Sequence, residues 1–308
     1  VDRTATVNVA LTGAGGLVKD DVGRLILGGT NTYTGGTTVK AGVLQGNTAS
    51  LQGGIVNDAE VVFDQAKTGS YAGTMSGSGK LRKIGAGTLT LTSVNSYAGG
   101  TFVDAGTLAT DVTGALGSGA ASVASGATLQ FGGKAELGSM SVANSGTLRL
   151  QGNASAGSAS LVNASGAVLA FADDATADKA TVSNAAGAQV RIDQATTGVS
   201  IGTLGGAGDI ALGAKALTLG GLNGDASLSG TIDGNGGSIV KVGSGKLTLT
   251  GANTYTGGTT VGAGTLSVNN KSGSATGTGA VQVQSGATLA GSGSIAGAVT
   301  IDKGGILA

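Results

Sequence analysis

A nine-residue segment occurs three times in this chain. Asn31–Val39 (NTYTGGTTV) returns as Asn253–Val261, and a looser copy, Asn95–Val103 (NSYAGGTFV), lies between them. Internal repeats are typical of proteins that stack similar structural units, each unit contacting only its neighbours. The repeat therefore predicts a stacked architecture and argues against a single globular core.

The amino-acid composition predicts a folded chain and excludes several kinds of chemistry. Apolar residues make up 40% of the 308 positions and the net charge is +0, whereas disordered chains are poor in apolar residues and highly charged. The absence of His and Cys excludes Ser-His-Asp and Cys-His catalysis, imidazole or thiolate metal ligands, and disulfides. We expect no cofactor and no metal centre.

The charge and hydropathy patterns exclude two further classes. Seventeen basic and seventeen acidic residues are scattered, without the basic stripe that a nucleic-acid partner requires. No apolar stretch approaches the roughly 20 residues of a membrane-spanning helix. The chain begins at Val1 without a signal peptide, so we expect a segment of something longer.

Two periods along the chain predict the fold. Short alternations such as Leu89-Thr90-Leu91-Thr92 are typical of strands that bury every second side chain. A glycine opens many of these strands at intervals of about 20 residues, a length that matches one coil of a parallel β-solenoid; in the middle of the chain these are Gly126, Gly146, Gly166, Gly187 and Gly208. A propeller is disfavoured because aromatics are only 3% of the residues.

Phe63, Phe131 and Phe171 hold equivalent places in their strands and are predicted to form one internal ladder.

The longer unit around the repeated segment resembles a known family. Gly77–Leu108 and Gly237–Leu266 are two similar examples of this unit, and Leu17–Leu44 is a third. The unit resembles the passenger-associated transport repeat of bacterial autotransporters (type V secretion). The resemblance implies a right-handed parallel β-helix outside the cell, tethered to or released from the outer membrane, whose partner is its own C-terminal barrel. It transfers no catalytic residue.

From these observations we predict a single β-helix passenger segment over residues 1–308. Its predicted parts are strong repeats near 13–45, 77–109 and 234–268, divergent coils over 110–233, and C-terminal coils over 269–308 that lead toward an autochaperone and barrel region absent from this sequence.

Two sets of side chains are candidates for binding. Asp173, Asp174 and Asp178 form the densest carboxylate cluster, which suits either a calcium site or a solvated turn, and we favour the turn; Asp20-Asp21 is a similar pair. The tyrosines Tyr33, Tyr97 and Tyr255 recur at one position of the repeat. They could contact a glycan, but a recurring position favours rings packed inside with their hydroxyls on polar partners.

A carbohydrate-cleaving β-helix of the pectate-lyase type is the enzymatic alternative. It would need Asp, Arg and Lys side chains converging in one cleft, and Arg149, Arg191 and Asp193 are the sparse candidates. If these three side chains do not meet in one groove, the enzymatic hypothesis is excluded.

The sequence thus supports two functional hypotheses. The first is a non-enzymatic passenger rod that acts in adhesion, self-association or biofilm formation through homotypic contacts or a host protein or glycan. The second is a stalk and secretion scaffold that presents an effector, such as a protease, lying outside this chain.

Overall fold

The computed structural model describes residues 3–308, which form strands and turns and contain no helix that could span a membrane. The chain divides into two compact units. Unit 1 comprises the chain up to Glu136 together with Met140–Val142, and unit 2 comprises Leu137–Ser139 together with Ala143–Ala308.

Unit 1 contains fifteen complete strands of two to five residues each. They are β1 (Thr4–Val7), β2 (Leu17–Lys19), β3 (Arg24–Leu27), β4 (Thr37–Val39), β5 (Val43–Gly46), β6 (Ile55–Asn57), β7 (Glu60–Asp64), β8 (Gly69–Tyr71), β9 (Met75–Ser76), β10 (Lys80–Ile84), β11 (Thr88–Leu91), β12 (Thr101–Val103), β13 (Thr107–Thr110), β14 (Ala121–Val123) and β15 (Thr128–Phe131). The next strand, β16 (Ser141–Asn144), falls at the division between the units.

Unit 2 contains the remaining strands. They are β17 (Thr147–Leu150), β18 (Ser160–Asn163), β19 (Val168–Asp173), β20 (Ala177–Asn184), β21 (Gln189–Ala195), β22 (Val199–Gly206), β23 (Asp209–Ala211), β24 (Ala216–Leu219), β25 (Ala226–Leu228), β26 (Ile232–Asp233), β27 (Ser238–Lys241), β28 (Lys246–Leu249), β29 (Thr259–Val261), β30 (Thr265–Val268), β31 (Val281–Val283), β32 (Thr288–Ala290), β33 (Val299–Ile301) and β34 (Ile306–Leu307).

In unit 1 the strands stack in parallel, one coil above the next. One stack runs β1-β3-β5-β7-β10-β12-β14, a second β2-β4-β6-β9 and a third β8-β11-β13-β15. Leu81 pairs with Thr101, so one coil takes about 20 residues. Parallel neighbours so close in sequence are the defining arrangement of a β-solenoid.

Unit 2 is built in the same way. One stack runs β17-β19-β21-β23-β26, and a second begins β18-β20-β22. Beyond β22 the pairing continues as β24-β27-β29-β31-β33 and as β25-β28-β30-β32-β34. The prediction of an all-β parallel β-solenoid with coils of about twenty residues is confirmed in both units.

The core of each unit consists of aliphatic ladders that the strand alternation predicts. In unit 1 Leu89, Leu108 and Leu129 are aligned on successive strands, and all three are buried. In unit 2 an equivalent ladder is formed by Leu148, Leu169, Val190 and Ile210. Burial of each such side chain contributes about 1.5–3 kcal/mol before conformational entropy is subtracted. Stacking between coils is therefore the main source of stability.

Two equivalent corners explain why the repeat needs glycine there. Gly106 and Gly264 have φ angles of +64° and +65°, a region that side chains other than glycine disfavour. A Cβ atom on Gly106 would also lie 2.5 Å from the carbonyl oxygen of Gly87 in the preceding coil. The corner excludes a side chain on both grounds.

The prediction of one phenylalanine ladder is wrong for Phe63. Phe63, Phe131 and Phe171 are all buried, but Phe63 lies on β7 between Gly46 of β5 and Lys83 of β10, in the first stack of unit 1. Phe131 lies on β15, opposite Thr110 in the third stack. Similar sequence context indicates that a side chain points inward, but not the stack to which its strand belongs.

Candidate functional site

Each repeat carries a buried lysine. Lys19, Lys83 and Lys241 are 7%, 0% and 1% exposed, respectively. A buried ammonium group is costly unless hydrogen-bond acceptors surround it. Burial lowers the pKa of Lys83 and Lys241, and in both cases a nearby aspartate opposes the shift.

Backbone carbonyls of two successive coils supply the acceptors. Lys83 Nζ donates hydrogen bonds to the carbonyl oxygens of Ile84 and Gly85, at 2.8 and 2.7 Å, and to that of Ala105 at 3.0 Å. Ile84 ends β10, Gly85 begins the turn that follows it, and Ala105 belongs to the equivalent turn of the next coil. The ammonium group therefore ties two corners together.

The other two lysines repeat this arrangement. Lys241 Nζ donates to the carbonyls of Val242, Gly243 and Ala263 at 2.7, 2.8 and 3.1 Å. Lys19 reaches the carbonyls of Asp21 and, at 3.1 Å, Ala41. The sequence argument missed this role, although the recurrence of a lysine at one position of all three repeats is a visible signal.

The repeat asparagine joins three coils. Asn95 Oδ1 accepts from the backbone N–H of Met75 at 2.6 Å, and its Nδ2 donates to the carbonyl of Ala115 at 2.5 Å. Asn31 and Asn253 make the same pair of contacts with the coils before and after them. These asparagines are buried, so the hydrogen bonds satisfy groups that water cannot reach.

The repeat tyrosines point inward, as the structural interpretation expects. Tyr33, Tyr97 and Tyr255 are buried, and each hydroxyl lies 2.6 Å from the Oγ1 atom of the threonine four positions later. Burial raises the pKa of Tyr97 and Tyr255 well above the usual range. Rings enclosed in this way cannot stack on an external glycan.

The divergent coils contain an asparagine ladder that the sequence argument also missed. Asn144 Nδ2 donates to Asn163 Oδ1 at 2.8 Å, and Asn163 Nδ2 donates to Asn184 Oδ1 at 2.9 Å. All three side chains are buried. Their spacing of one coil is the sequence signal that could have revealed the ladder. The motif residues considered so far stabilise the fold and do not form a site for an external ligand.

Among the acidic candidates, Asp173 ends β19, Asp174 lies in the turn that follows, and Asp178 lies on β20. Asp173 adopts a positive φ of 54°, and its Oδ2 accepts from the backbone N–H of Gly152 at 2.9 Å, while Asp174 and Asp178 are exposed. Asp20 forms an exposed ion pair with Lys40 at 3.3 Å. Within residues 3–308 no three acidic side chains lie close enough to hold a metal ion together. Calcium binding stays an untested hypothesis.

Arg149 and Arg191 do converge, on one side of unit 2. The strand register places Ala170 between them, as Arg149 pairs with Ala170 and Ala170 with Arg191. Parallel strands lie about 4.8 Å apart, so the two arginine backbones are separated by about 10 Å. The short side chain of Ala170 leaves a shallow groove of about 220 Å³ between the two arginines.

A bulge on β21 adds two more side chains to this groove. The register shifts between Ala170 and Ala172, so that Gln194 lies opposite Ala172, and Asp193 and Gln194 both line the groove. Bulges re-aim side chains in this way. Gln194 Oε1 lies 3.4 Å from Arg149 Nη2, a contact that passes over the coil of Ala170.

The charges in the groove suit an anion better than acid–base catalysis. Asp193 accepts two hydrogen bonds from Arg191, at 2.6 and 3.3 Å, and this contact raises the pKa of Arg191. Within residues 3–308 Arg149 bonds to neutral oxygens alone, those of Gln151 at 2.8 Å and Gln194 at 3.4 Å. The pectate-lyase hypothesis requires Asp, Arg and Lys in one cleft, and the residues that line this groove include the two arginines and Asp193, which is already ion-paired, but no lysine.

Comparison with known proteins identifies the repeats. The family profile Passenger-associated-transport-repeat matches residues 17–45, 81–109 and 239–268. Over 244 residues the chain is 33% identical to the adhesin BmaC autotransporter of Brucella suis biovar 1 (strain 1330). The alignment covers 77% of this chain and 5% of that protein, so the chain spans a small part of its relative's length. No solved structure matches significantly.

Proposed function

This chain is an autotransporter passenger segment with three passenger-associated-transport-repeats, and from that premise we propose that it acts as a non-enzymatic adhesin at the bacterial surface. The observation that supports the proposal most directly is its similarity to a protein named an adhesin autotransporter. Adhesion would be either to a host surface or to another copy of the chain.

The arrangement of side chains supports the same proposal. The polar residues shared by the repeats are committed to holding coils together, which leaves the outward side chains of each unit for contacts. These are mostly short and neutral, and the net charge of the chain is +0. A surface of this kind does not repel a second copy and can form many weak contacts that add up to avidity.

Display of the full-length protein on a non-adherent bacterium tests the proposal. We expect the cells to clump or to bind host cell layers, and cells that do neither despite normal display would overturn it. A shortened version lacking residues 164–206 then localises the activity. Asn163, Asn184 and Gly206 occupy equivalent places on successive coils, so this deletion removes two coils and preserves the strand register.

A matched deletion controls for length. Removing residues 84–123 takes two coils out of unit 1, because Lys83, Val103 and Val123 are equivalent. Loss of adhesion only on deletion of 164–206 would place the contact on the divergent coils within that range. Adhesion retained in both shortened versions would favour the alternative, a stalk and secretion scaffold whose activity lies in another part of the protein.

A further inference from the structure

We propose that the groove between Arg149 and Arg191 is a docking site for an acidic sugar residue of an extracellular glycan, with Arg149 holding its carboxylate or sulfate group. This inference rests on the proposed adhesin function and names its ligand class. It depends on the charge of Arg149, the shape of the groove and the bulge that turns polar groups toward it.

The charge of Arg149 is not neutralised by its neighbours. Arg82 is ion-paired with Glu60 and Asp104, and Arg191 with Asp193, whereas Arg149, like Arg24, forms no ion pair within residues 3–308. Arg149 Nε and Nη2 bond to amide oxygens of Gln151 and Gln194, which orient the guanidinium group without cancelling its charge. Its Nη1 has no hydrogen-bond partner within residues 3–308. A planar guanidinium group oriented in this way is suited to bind a carboxylate or sulfate group.

The groove admits one group of a larger ligand. Its volume of about 220 Å³ is below the roughly 300–1,000 Å³ of pockets that enclose small ligands. It exists because Ala170 stands where the coils on either side carry Arg149 and Arg191. A single sugar residue can enter while the rest of the glycan continues outside.

The groove also offers neutral polar groups for sugar hydroxyls. Thr147 lines it from β17, and the bulge brings the amide of Gln194 to its rim. No exposed aromatic ring is among its lining residues, so stacking contributes nothing and each site should bind weakly. Many displayed copies would compensate through avidity.

Titration calorimetry of the 308-residue chain with defined oligosaccharides tests the proposal. The probes are a hyaluronan octasaccharide, which carries carboxylates, a heparin octasaccharide, which also carries sulfates, and neutral maltooctaose. We expect binding to at least one acidic probe, no binding to maltooctaose, and weakening as sodium chloride is raised. The acidic probe preferred shows which anionic group the site takes.

Three variants assign the binding to the groove. Arg149→Gln removes the free charge and should weaken binding about tenfold or more. Ala170→Gln should also weaken it by filling the groove at unchanged net charge, and Gln130 of β15 shows that the fold accepts glutamine at such a strand position. Lys179→Ala removes one charge from an exposed site outside the groove and should leave affinity unchanged.

Two results would overturn the inference: no binding of either acidic probe at millimolar concentration, or equal weakening by Lys179→Ala and Arg149→Gln. Circular dichroism confirms that each variant is folded. Adhesion by displayed wild-type protein without glycan binding would reject the groove and leave the adhesin proposal intact. Glycan binding that depends on Arg149, in cells that do not adhere, would reject the adhesin proposal alone.

Discussion

The ammonium group of Lys83 donates a hydrogen bond of 3.0 Å to the carbonyl oxygen of Ala105, on the next coil of the solenoid. The contact recurs between Lys241 and Ala263 and between Lys19 and Ala41. In every repeat, a buried lysine thus links the corners of two successive coils by hydrogen bonds.

Replacement of this lysine should destabilise unit 1. In Lys83→Met the carbonyls of Gly85 and Ala105 lose their buried donor, so we expect the free energy of unfolding to fall by about 2 kcal/mol, measured by urea denaturation. The exposed Lys67→Met is the control and should change it by less than about 0.5 kcal/mol. Equal stability of the two variants would show that the hydrogen bonds from Lys83 to the backbone carbonyls contribute nothing to the free energy of unfolding.

Substitution in the asparagine ladder should also destabilise the fold. Asn163→Ala removes the central amide, leaves Asn184 Oδ1 and the carbonyl of Gln189 without a donor, and opens a cavity. We expect a loss of about 3 kcal/mol in the free energy of unfolding. Asn153 is exposed in the same unit, and Asn153→Ala should leave the denaturation midpoint unchanged. A ladder variant as stable as this control would refute the prediction.

Tyrosine ionisation should report unfolding at high pH. Burial raises the pKa of Tyr71, Tyr97 and Tyr255 well above the value of about 10 that an unfolded chain has. Above pH 10 the unfolded chain releases these protons and the folded chain retains them. The contribution of these tyrosines to stability is therefore complete below pH 10 and is lost as the pH rises further.

The measurement is near-ultraviolet tyrosinate absorbance alongside circular dichroism during an alkaline titration. Most of the absorbance change should coincide with loss of β-structure. The lowered pKa of Lys83 and Lys241 acts on stability in the opposite direction, which is why tyrosinate absorbance is the readout chosen. Full ionisation in a chain that keeps its dichroism would contradict the burial of these rings.

Calcium should not stabilise the chain. The Asp173 carboxylate already accepts a hydrogen bond from Gly152, and Asp174, in the following turn, and Asp178, on β20, are both exposed. We expect the same melting temperature in EDTA and in calcium well above the roughly 1 mM at which weak extracellular sites fill. An upward shift in calcium that disappears in Asp173→Asn would instead establish a site at this turn.

The sequence by itself determined the fold class. The alternation of Leu89 and Leu91 with threonines follows the two-residue period of a strand, and the recurrence of segments about 20 residues apart follows the coil. Both signals can be read from the sequence without knowing which strands pair. The sequence also predicted that Tyr97 points inward, because a residue that recurs at one position of every repeat is expected to have a structural role.

Only the tertiary structure decided which side chains meet across coils. Phe63 and Phe131 share a sequence context but lie on different stacks, because each coil contributes strands to more than one stack and the two-residue period does not identify which. Likewise, the meeting of Arg149 with Gln194 depends on a one-residue bulge in β21. A single inserted residue changes which side chains face outward, and no period in the sequence records it.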